Sequence, residues 1–563
     1  MSRRVIVLLF SMAAFVFAGV TQGRAQTLMT RHVREATLNG QAKLIGRLPL
    51  NQVMRLDVVL PIRDQAGLDA FLADLYSTTV PNYRHFLTPA EFTERFGPTQ
   101  QNYDAVVIYV QSHGLAVVGG SRDGMEVQVR GPVSAIESAF HVNLLTYQHP
   151  TENRIFYGPD REPSSDLPFA LWHISGLDNY SIPHPKYISK TEYAKAHGIK
   201  PEDVVQHATT GSGPSASFLG SDMRAAYYGG TTLTGSGQNL GLLEYLGTDL
   251  TDLKTYYANV KQTNRVPITL LSTDGTSTSC VNSASGGNCD DTEQTLDMTQ
   301  ALGMAPGLAS LVMYVGSTDT AIISAMTTHN PLPTTIGCSW GWTPADPTTL
   351  DPYFEKMAAQ GQNFFVASGD YSTWKKSGNA EAWPADDAHI VSVGGTDLIT
   401  ASAAGRWKSE TAWVYSGGGI SPDKIAIPSW QRLAGVINSS NKGSTTYRNG
   451  PDVSANSNFT FYVCADQTAC TANEYGGTSF AAPMWAGYLA LVNQQLKADG
   501  YSHLGFINPY LYSFGVSSSY DTDFHDITSG KSGTYTAVTG YDLVTGWGSP
   551  NGQGLINALV GEK

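Results

Sequence analysis

The sequence predicts an α+β unit in front of a larger α/β unit, whose parallel sheet is covered by helices. Three observations carry this. The chain has 563 residues, more than one ~150-residue domain needs. Beyond residue 217, short β-branched runs alternate with helical patterns, the pattern of a parallel sheet with helices on both faces. Charge divides the chain too: residues 1–189 carry 16 Lys+Arg and 16 Asp+Glu, and residues 190–563 carry 19 and 32. The net charge of −13 therefore belongs to the C-terminal two-thirds.

The elements follow in order. Arg3-Arg4, an apolar run from Val5 to Gly19 and small residues ending near Ala25 read as a secretory signal over residues 1–25. That run is shorter than the ~20 residues of a membrane span, so the expected product is secreted and has no membrane contact after cleavage. Residues 26–185 are the small unit, with strands expected at Gln52–Leu60 and Gly114–Arg130, and helices at Ala66–Thr78 and Pro89–Phe96. Residues 186–213 are polar, end in Gly-Ser-Gly, and read as an exposed linker containing or adjoining a processing site. The large unit runs from 214 to 563. Its expected strands include Asn239–Leu243, Leu308–Val315, Asn363–Ala367 and His389–Val393, with a helix at Leu350–Gln360.

Composition narrows the chemistry. Charged residues make up 15% of the chain against a typical ~25%, which suits an acidic environment where carboxylates protonate. No basic patch exists, so nucleic acid is not an expected partner. In an exported protein close cysteines oxidise, so Cys280 pairs with Cys289 and Cys464 with Cys470. Cys338, in an apolar segment, is a buried free thiol. No histidine clusters with these cysteines, which disfavours zinc.

Ser479 stands in Gly476-Gly477-Thr478-Ser479-Phe480-Ala481-Ala482-Pro483, just before a helical run. A serine there lies beside unpaired backbone N–H groups that can bind an oxyanion. It still needs a base, and no histidine of this half (His197, His207, His329, His389, His503 or His525) sits in a His-Gly-Thr-type context. The candidate base is in Glu293-Gln294-Thr295-Leu296-Asp297, whose two carboxylates share a helix face. The bland alternatives are an N-cap serine and a solvated acidic helix face. The apolar stretch Leu302–Val315 puts this helix against the core instead. A Ser-Glu-Asp triad follows, with Ser479 as nucleophile, Glu293 as base and Asp297 orienting it.

The catalytic half resembles the sedolisin (serine-carboxyl peptidase) family. The shared motifs are Glu293-x-x-x-Asp297, Ser339-Trp340-Gly341, Ala367-Ser368-Gly369-Asp370, Val393-Gly394-Gly395-Thr396, Ser416-Gly417-Gly418-Gly419, Pro451-Asp452-Val453-Ser454 and Gly477-Thr478-Ser479. Tyr83–Phe92 and Tyr157–Pro163 are similar to the family's activation domain. The resemblance implies a subtilisin-like catalytic fold behind a ferredoxin-like prodomain that acts as intramolecular inhibitor and folding aid. It implies that Asp370 serves the oxyanion hole, which requires a protonated carboxyl. It implies that Glu244 and Trp340 extend the hydrogen-bond chain from Asp297. It also implies one structural Ca²⁺, held by the Asp526 and Asp542 side chains and the Ile527, Val538 and Gly540 carbonyls. Val538 replaces a glycine there, and the intervening loop is shorter than in the family. Basic-preferring relatives carry an acid directly before an aromatic-Pro pair. Here Ala382 holds that place before Trp383-Pro384, with Glu381 one position earlier.

The expected protein is a secreted, self-processing, acid-active endopeptidase acting on protein or peptide substrates. A binding protein on an inactive peptidase scaffold is the rival, disfavoured by intact Ser479, Glu293, Asp297 and Asp370. An esterase would need Gly-x-Ser-x-Gly, which the flanks of Ser479 do not supply.

Overall fold

A computed structural model describes residues 26–561 apart from 78, 205–208, 282–286, 288, 344, 346 and 377. The expected signal segment, residues 1–25, lies outside the described residues.

The N-terminal unit is built on an antiparallel sheet of β1 (Val53–Val59), β2 (Ala116–Ser121), β3 (Glu126–Pro132) and β4 (His173–Ser175), in the order β2-β3-β1-β4. Helices α1 (Gln65–Leu75), α2 (Pro89–Arg95), α3 (Gln100–Ser112) and α4 (Val133–Phe140) accompany it. The expected single strand Gly114–Arg130 is a hairpin: the chain turns at Ser121–Met125, where Met125 takes a φ of 56°. The turn stands in Gly119-Gly120-Ser121-Arg122-Asp123-Gly124, a polar and glycine-rich signal between the two apolar arms. Thr88 caps α2 in a reciprocal capping box with Glu91, so Thr-Pro-Ala-Glu within Tyr83–Phe92 is a helix start. The rest of that motif is an anchor on the larger unit. Arg84, in a left-handed conformation, donates to the Ser502 and His503 carbonyls at 2.7 and 2.8 Å, and Phe86 stacks on His503.

Helix α5 (Lys190–His197) leads to the large unit, whose sheet runs β6-β7-β5-β8-β9-β10-β11. Its strands are β5 (Asn239–Glu244), β6 (Ile268–Ser272), β7 (Ser310–Val315), β8 (Thr335–Cys338), β9 (Asn363–Ala367), β10 (Val391–Thr400) and β11 (Trp407–Ala412). All are parallel except β11, and β12 (Val453–Asn456) adds in parallel to β10. Alternate residues go to opposite cores: Leu242, Met313 and Phe365 pack on one face, Leu243, Val312 and Phe364 on the other. That period of two is how a strand buried on both sides is written in sequence. Helices α6 (Thr292–Met304) and α9 (Ala481–Ala498) cover the first face; α7 (Asp319–Met326) and α8 (Pro347–Ala359) cover the second. The expected strands at 239–243, 308–315 and 363–367 and the helix near 350–360 stand within three residues of these bounds, whereas the strand expected at His389–Val393 begins at Val391 and runs on to Thr400.

The segment expected as an exposed linker, residues 186–213, divides: its first residues are buried, whereas residues 191–203 are exposed apart from Tyr193 and Ala194. Lys186, Ile188 and Ser189 are buried, and Ser189 caps α5 by accepting from the Glu192 amide at 3.3 Å. Lys186 and Ser189 serve there as an ion-pair group and a helix cap in a cleft, and the exposed stretch begins after them.

Candidate active site

Ser479 lies on the turn Thr478–Phe480 that runs directly into α9. Pro483 stands in the first turn of that helix, where its missing N–H breaks no bond. The Ser479 hydroxyl is fully buried and donates to Glu293 Oε2 at 2.9 Å. Its partner is a carboxylate, not an imidazole.

Glu293 opens α6 and Asp297 follows one turn later on the same face. Asp297 Oδ1 accepts from the Ser339 hydroxyl at 2.7 Å. Glu244 ends β5 and accepts from Trp340 Nε1 at 3.1 Å. It is no edge carboxylate, because β5 lies between β7 and β8. Burial pushes all three carboxyls well above their usual range. Repulsion from Asp297 and then Glu244 adds to this at Glu293, while hydrogen bonds from Ser339 and Glu293 oppose it at Asp297. Three such neighbours cannot all ionise, so they hold protons as a unit.

Asp370 follows β9. Its Oδ1 accepts from the Thr478 amide at 2.7 Å and the Thr478 hydroxyl at 2.9 Å. Its Oδ2 has no hydrogen-bond partner among the described residues. Burial pushes this carboxyl up to about 7, against the pull of the Thr478 bonds. Below that pH it carries a proton that Oδ2 can donate.

The chain itself occupies the cleft. His184–Pro185 pairs antiparallel with Trp340–Gly341, and Ile188–Ser189 pairs antiparallel with Tyr475–Gly476. Between these ladders the Lys186 amide donates to the Ser339 carbonyl at 2.8 Å and to Glu293 Oε2 at 3.1 Å. The Lys186 carbonyl accepts from the Ser479 amide at 3.1 Å. Gly477 makes the approach possible. Its φ is 155°, and a Cβ there would stand 2.5 Å from the Lys186 oxygen and 3.0 Å from Asp370 Oδ2. The Lys186 oxygen and Asp370 Oδ2 thus both face this glycine. The Lys186 ammonium reaches Glu381 Oε1 at 2.7 Å, and both side chains are buried.

The structure thus brings Ser479, Glu293, Asp297, Asp370, Glu244 and Trp340 into one buried cluster, in which the Glu244–Trp340 pair stands apart from the hydrogen bonds of the triad: Glu244 Oε1 and Asp297 Oδ2 have no hydrogen-bond partner among the described residues. Sequence reasoning missed Lys186, Ser339, Thr478 and Glu381 as members. Ser339 and Thr478 lie inside motifs already singled out. The lone lysine after Pro185 gave no local signal of its own.

The C-terminal residues form a separate cluster. Asp526 accepts from the Gly540 amide at 3.2 Å, and Asp542 from the Val538 amide at 3.0 Å. Two carboxylates thereby converge on one short segment, and their hard oxygens suit Ca²⁺. Gly540 takes a φ of 78°, whereas Val538 is outside the left-handed region, so the Gly-to-Val change there strains nothing. Cys280 is bonded to Cys289 and Cys464 to Cys470, while Cys338 is free and buried.

Residues 40–180 match the pro-kumamolisin activation domain, and residues 276–504 match the subtilase family. The chain is 29% identical to kumamolisin of Bacillus sp. (strain MN-32), over 92% of this chain and 94% of that protein. It is 28% identical to xanthomonalisin of Xanthomonas sp. (strain T-22), over 96% of this chain and 69% of the relative. Sedolisin of Pseudomonas sp. (strain 101) is 26% identical over 89% and 86%. With an activation domain in front, a subtilase domain behind and likeness to these peptidases over most of its length, the chain is a sedolisin- and kumamolisin-like serine peptidase.

Proposed function

We propose that this peptidase is a secreted, acid-active endopeptidase that first cleaves its own Lys186–Tyr187 bond. The observation that carries the reading is the Lys186 carbonyl held by the Ser479 amide, beside a Ser479 hydroxyl bonded to Glu293. Ser479 Oγ attacks the Lys186 carbonyl carbon while Glu293 takes its proton. The oxyanion is met by the Ser479 N–H and by the protonated Asp370. The C–N bond then breaks, and Glu293 returns the proton to the Tyr187 amine. Water, deprotonated by Glu293 in turn, hydrolyses the acyl-enzyme. Asp297 and the Glu244–Trp340 pair position Glu293 and share its proton load.

Glu381 gives the pocket a basic preference at the residue before the cut. It takes the role that the acid preceding the aromatic-Pro pair takes in relatives, from one position earlier. Asp526 and Asp542, with the Ile527, Val538 and Gly540 carbonyls, would hold one Ca²⁺ that ties the C-terminal loop and takes no part in the chemistry. The apolar N-terminal run supports secretion.

Mass spectrometry of the intact chain after acidification tests the reading. A product beginning at Tyr187 is expected, and Ser479→Ala should stay uncut. Normal processing by Ser479→Ala would reject the nucleophile, and a first cut elsewhere would reject the bond.

A further inference from the structure

The segment after the cut is held as closely as the segment before it. Tyr187 meets Tyr475 edge to face, ring centroids 5.7 Å apart at 81°. Ile188 is 4% exposed and packs in a cluster with Trp413 and Phe459. The Ser189 hydroxyl donates to Glu474 Oε1 at 2.8 Å, and the Lys190 amide donates to the Glu474 carbonyl at 2.9 Å. Tyr475 and Glu474 belong to the strand Tyr475–Gly476 and its approach, which pairs with residues 188–189 in an antiparallel ladder, while Trp413 follows β11 and Phe459 follows β12. The ladder fixes register, so successive residues of a bound chain meet successive surfaces.

We propose that the enzyme selects substrates on the leaving-group side, through Tyr475, the Trp413–Phe459 pocket and Glu474. They read an aromatic residue, then a branched aliphatic residue, then a hydroxyl, in the first three places after the cut. This rests on the reading of residues 184–189 as a bound substrate and extends it to residues that touch no reacting atom. Backbone pairing alone would accept any sequence. The three surfaces differ in chemistry, and each meets a side chain that matches it: ring edge on ring face, aliphatic on indole and phenyl, hydroxyl on carboxylate.

Quenched peptides containing Ile-Pro-His-Pro-Lys-Tyr-Ile-Ser-Lys, and its single Ala replacements at Tyr, Ile and Ser, test this on the acid-processed enzyme made from the full chain. Tyr to Ala should lower kcat/KM about 2- to 10-fold, the range of an aromatic pair. Ile to Ala should lower it about 10-fold or more, and Ser to Ala about 10-fold, as for a hydrogen bond to a charged group. Tyr475→Ala should abolish discrimination at the first place while leaving the second intact, and Tyr475→Phe should restore it. Glu474→Gln should blunt only the third. Equal kcat/KM across all four peptides, each cut after Lys, would overturn this proposal and leave the proposed function standing. Cleavage at a different bond in the parent peptide would overturn both.

Discussion

The Ser479 hydroxyl, the proposed nucleophile, bonds to the carboxyl group of Glu293 and not to an imidazole, and this sets what substitutions should do. Glu293→Gln keeps the shape and removes the base, so kcat should fall about 10²- to 10⁴-fold. Stability should move the other way. Burial raises the folded-state pKa of Glu293, so its contribution is present at low pH and lost as pH rises. Removing the ionisable group should therefore leave Tm at pH 7 unchanged or higher, as calorimetry can show; a lower kcat with a collapsed Tm would contradict this. Glu381 behaves differently, because it is one half of a buried pair with Lys186. Glu381→Ala strands the ammonium, and the uncut precursor should lose about 3–5 kcal/mol in denaturant unfolding. The mature enzyme should lose its preference for Lys or Arg before the cut. Equal cleavage after Lys and Leu in the unmodified enzyme would contradict that assignment. The triad was legible because its members fall in short motifs at helix-face spacing. The Lys186–Glu381 contact was not, because its partners are 195 residues apart and meet only once the linker enters the cleft.

At the scale of elements, strands buried on two sides were legible from their apolar runs and the helices between them. The hairpin β2–β3 was expected as one strand although Gly120-Ser121-Arg122-Asp123-Gly124 marks a turn between its arms. The start of the linker misled for the opposite reason: polarity usually marks solvent, as it does over residues 191–203, yet Lys186 and Ser189 are buried because each has a charged or capping partner. The Tyr83–Phe92 anchor has a testable consequence at this scale. Arg84 is 7% exposed and donates to two carbonyls at the C-terminal edge of the core, and Tyr76 donates to the Ala358 carbonyl at 2.7 Å. Arg84→Ala leaves those carbonyls unpaired, and hydrogen bonds to charged groups contribute ~1.5–3 kcal/mol each. The prodomain should dock less tightly, so the full chain should process at least about 10-fold faster at a given acid pH. Gel time courses would show it; an unchanged rate would mean the anchor does not restrain activation.

For the whole molecule, two ionic devices lie at opposite ends of the chemistry. The C-terminal carboxylates Asp526 and Asp542 converge on residues 538–540, and a bound Ca²⁺ would stabilise the native state by mass action. Chelation should lower Tm in the unmodified protein and leave Asp526→Ala unmoved; the absence of any calcium dependence would reject the site. The other device is Asp370, which must be protonated to donate to the oxyanion. Its carboxyl sits at about 7 because it is buried, so the donor is present below that value and is lost as pH rises through it. On the acid side, activity ends where the Glu293–Asp297–Glu244 unit can no longer accept a proton. The direct measurement is kcat/KM for a Lys-containing quenched peptide from pH 2 to pH 9. The expected profile is a bell lying below neutrality, with an alkaline limb falling through about pH 7 that moves upward, or disappears, in Asp370→Asn. An optimum near pH 8, where an imidazole base would be neutral, would contradict the carboxyl mechanism.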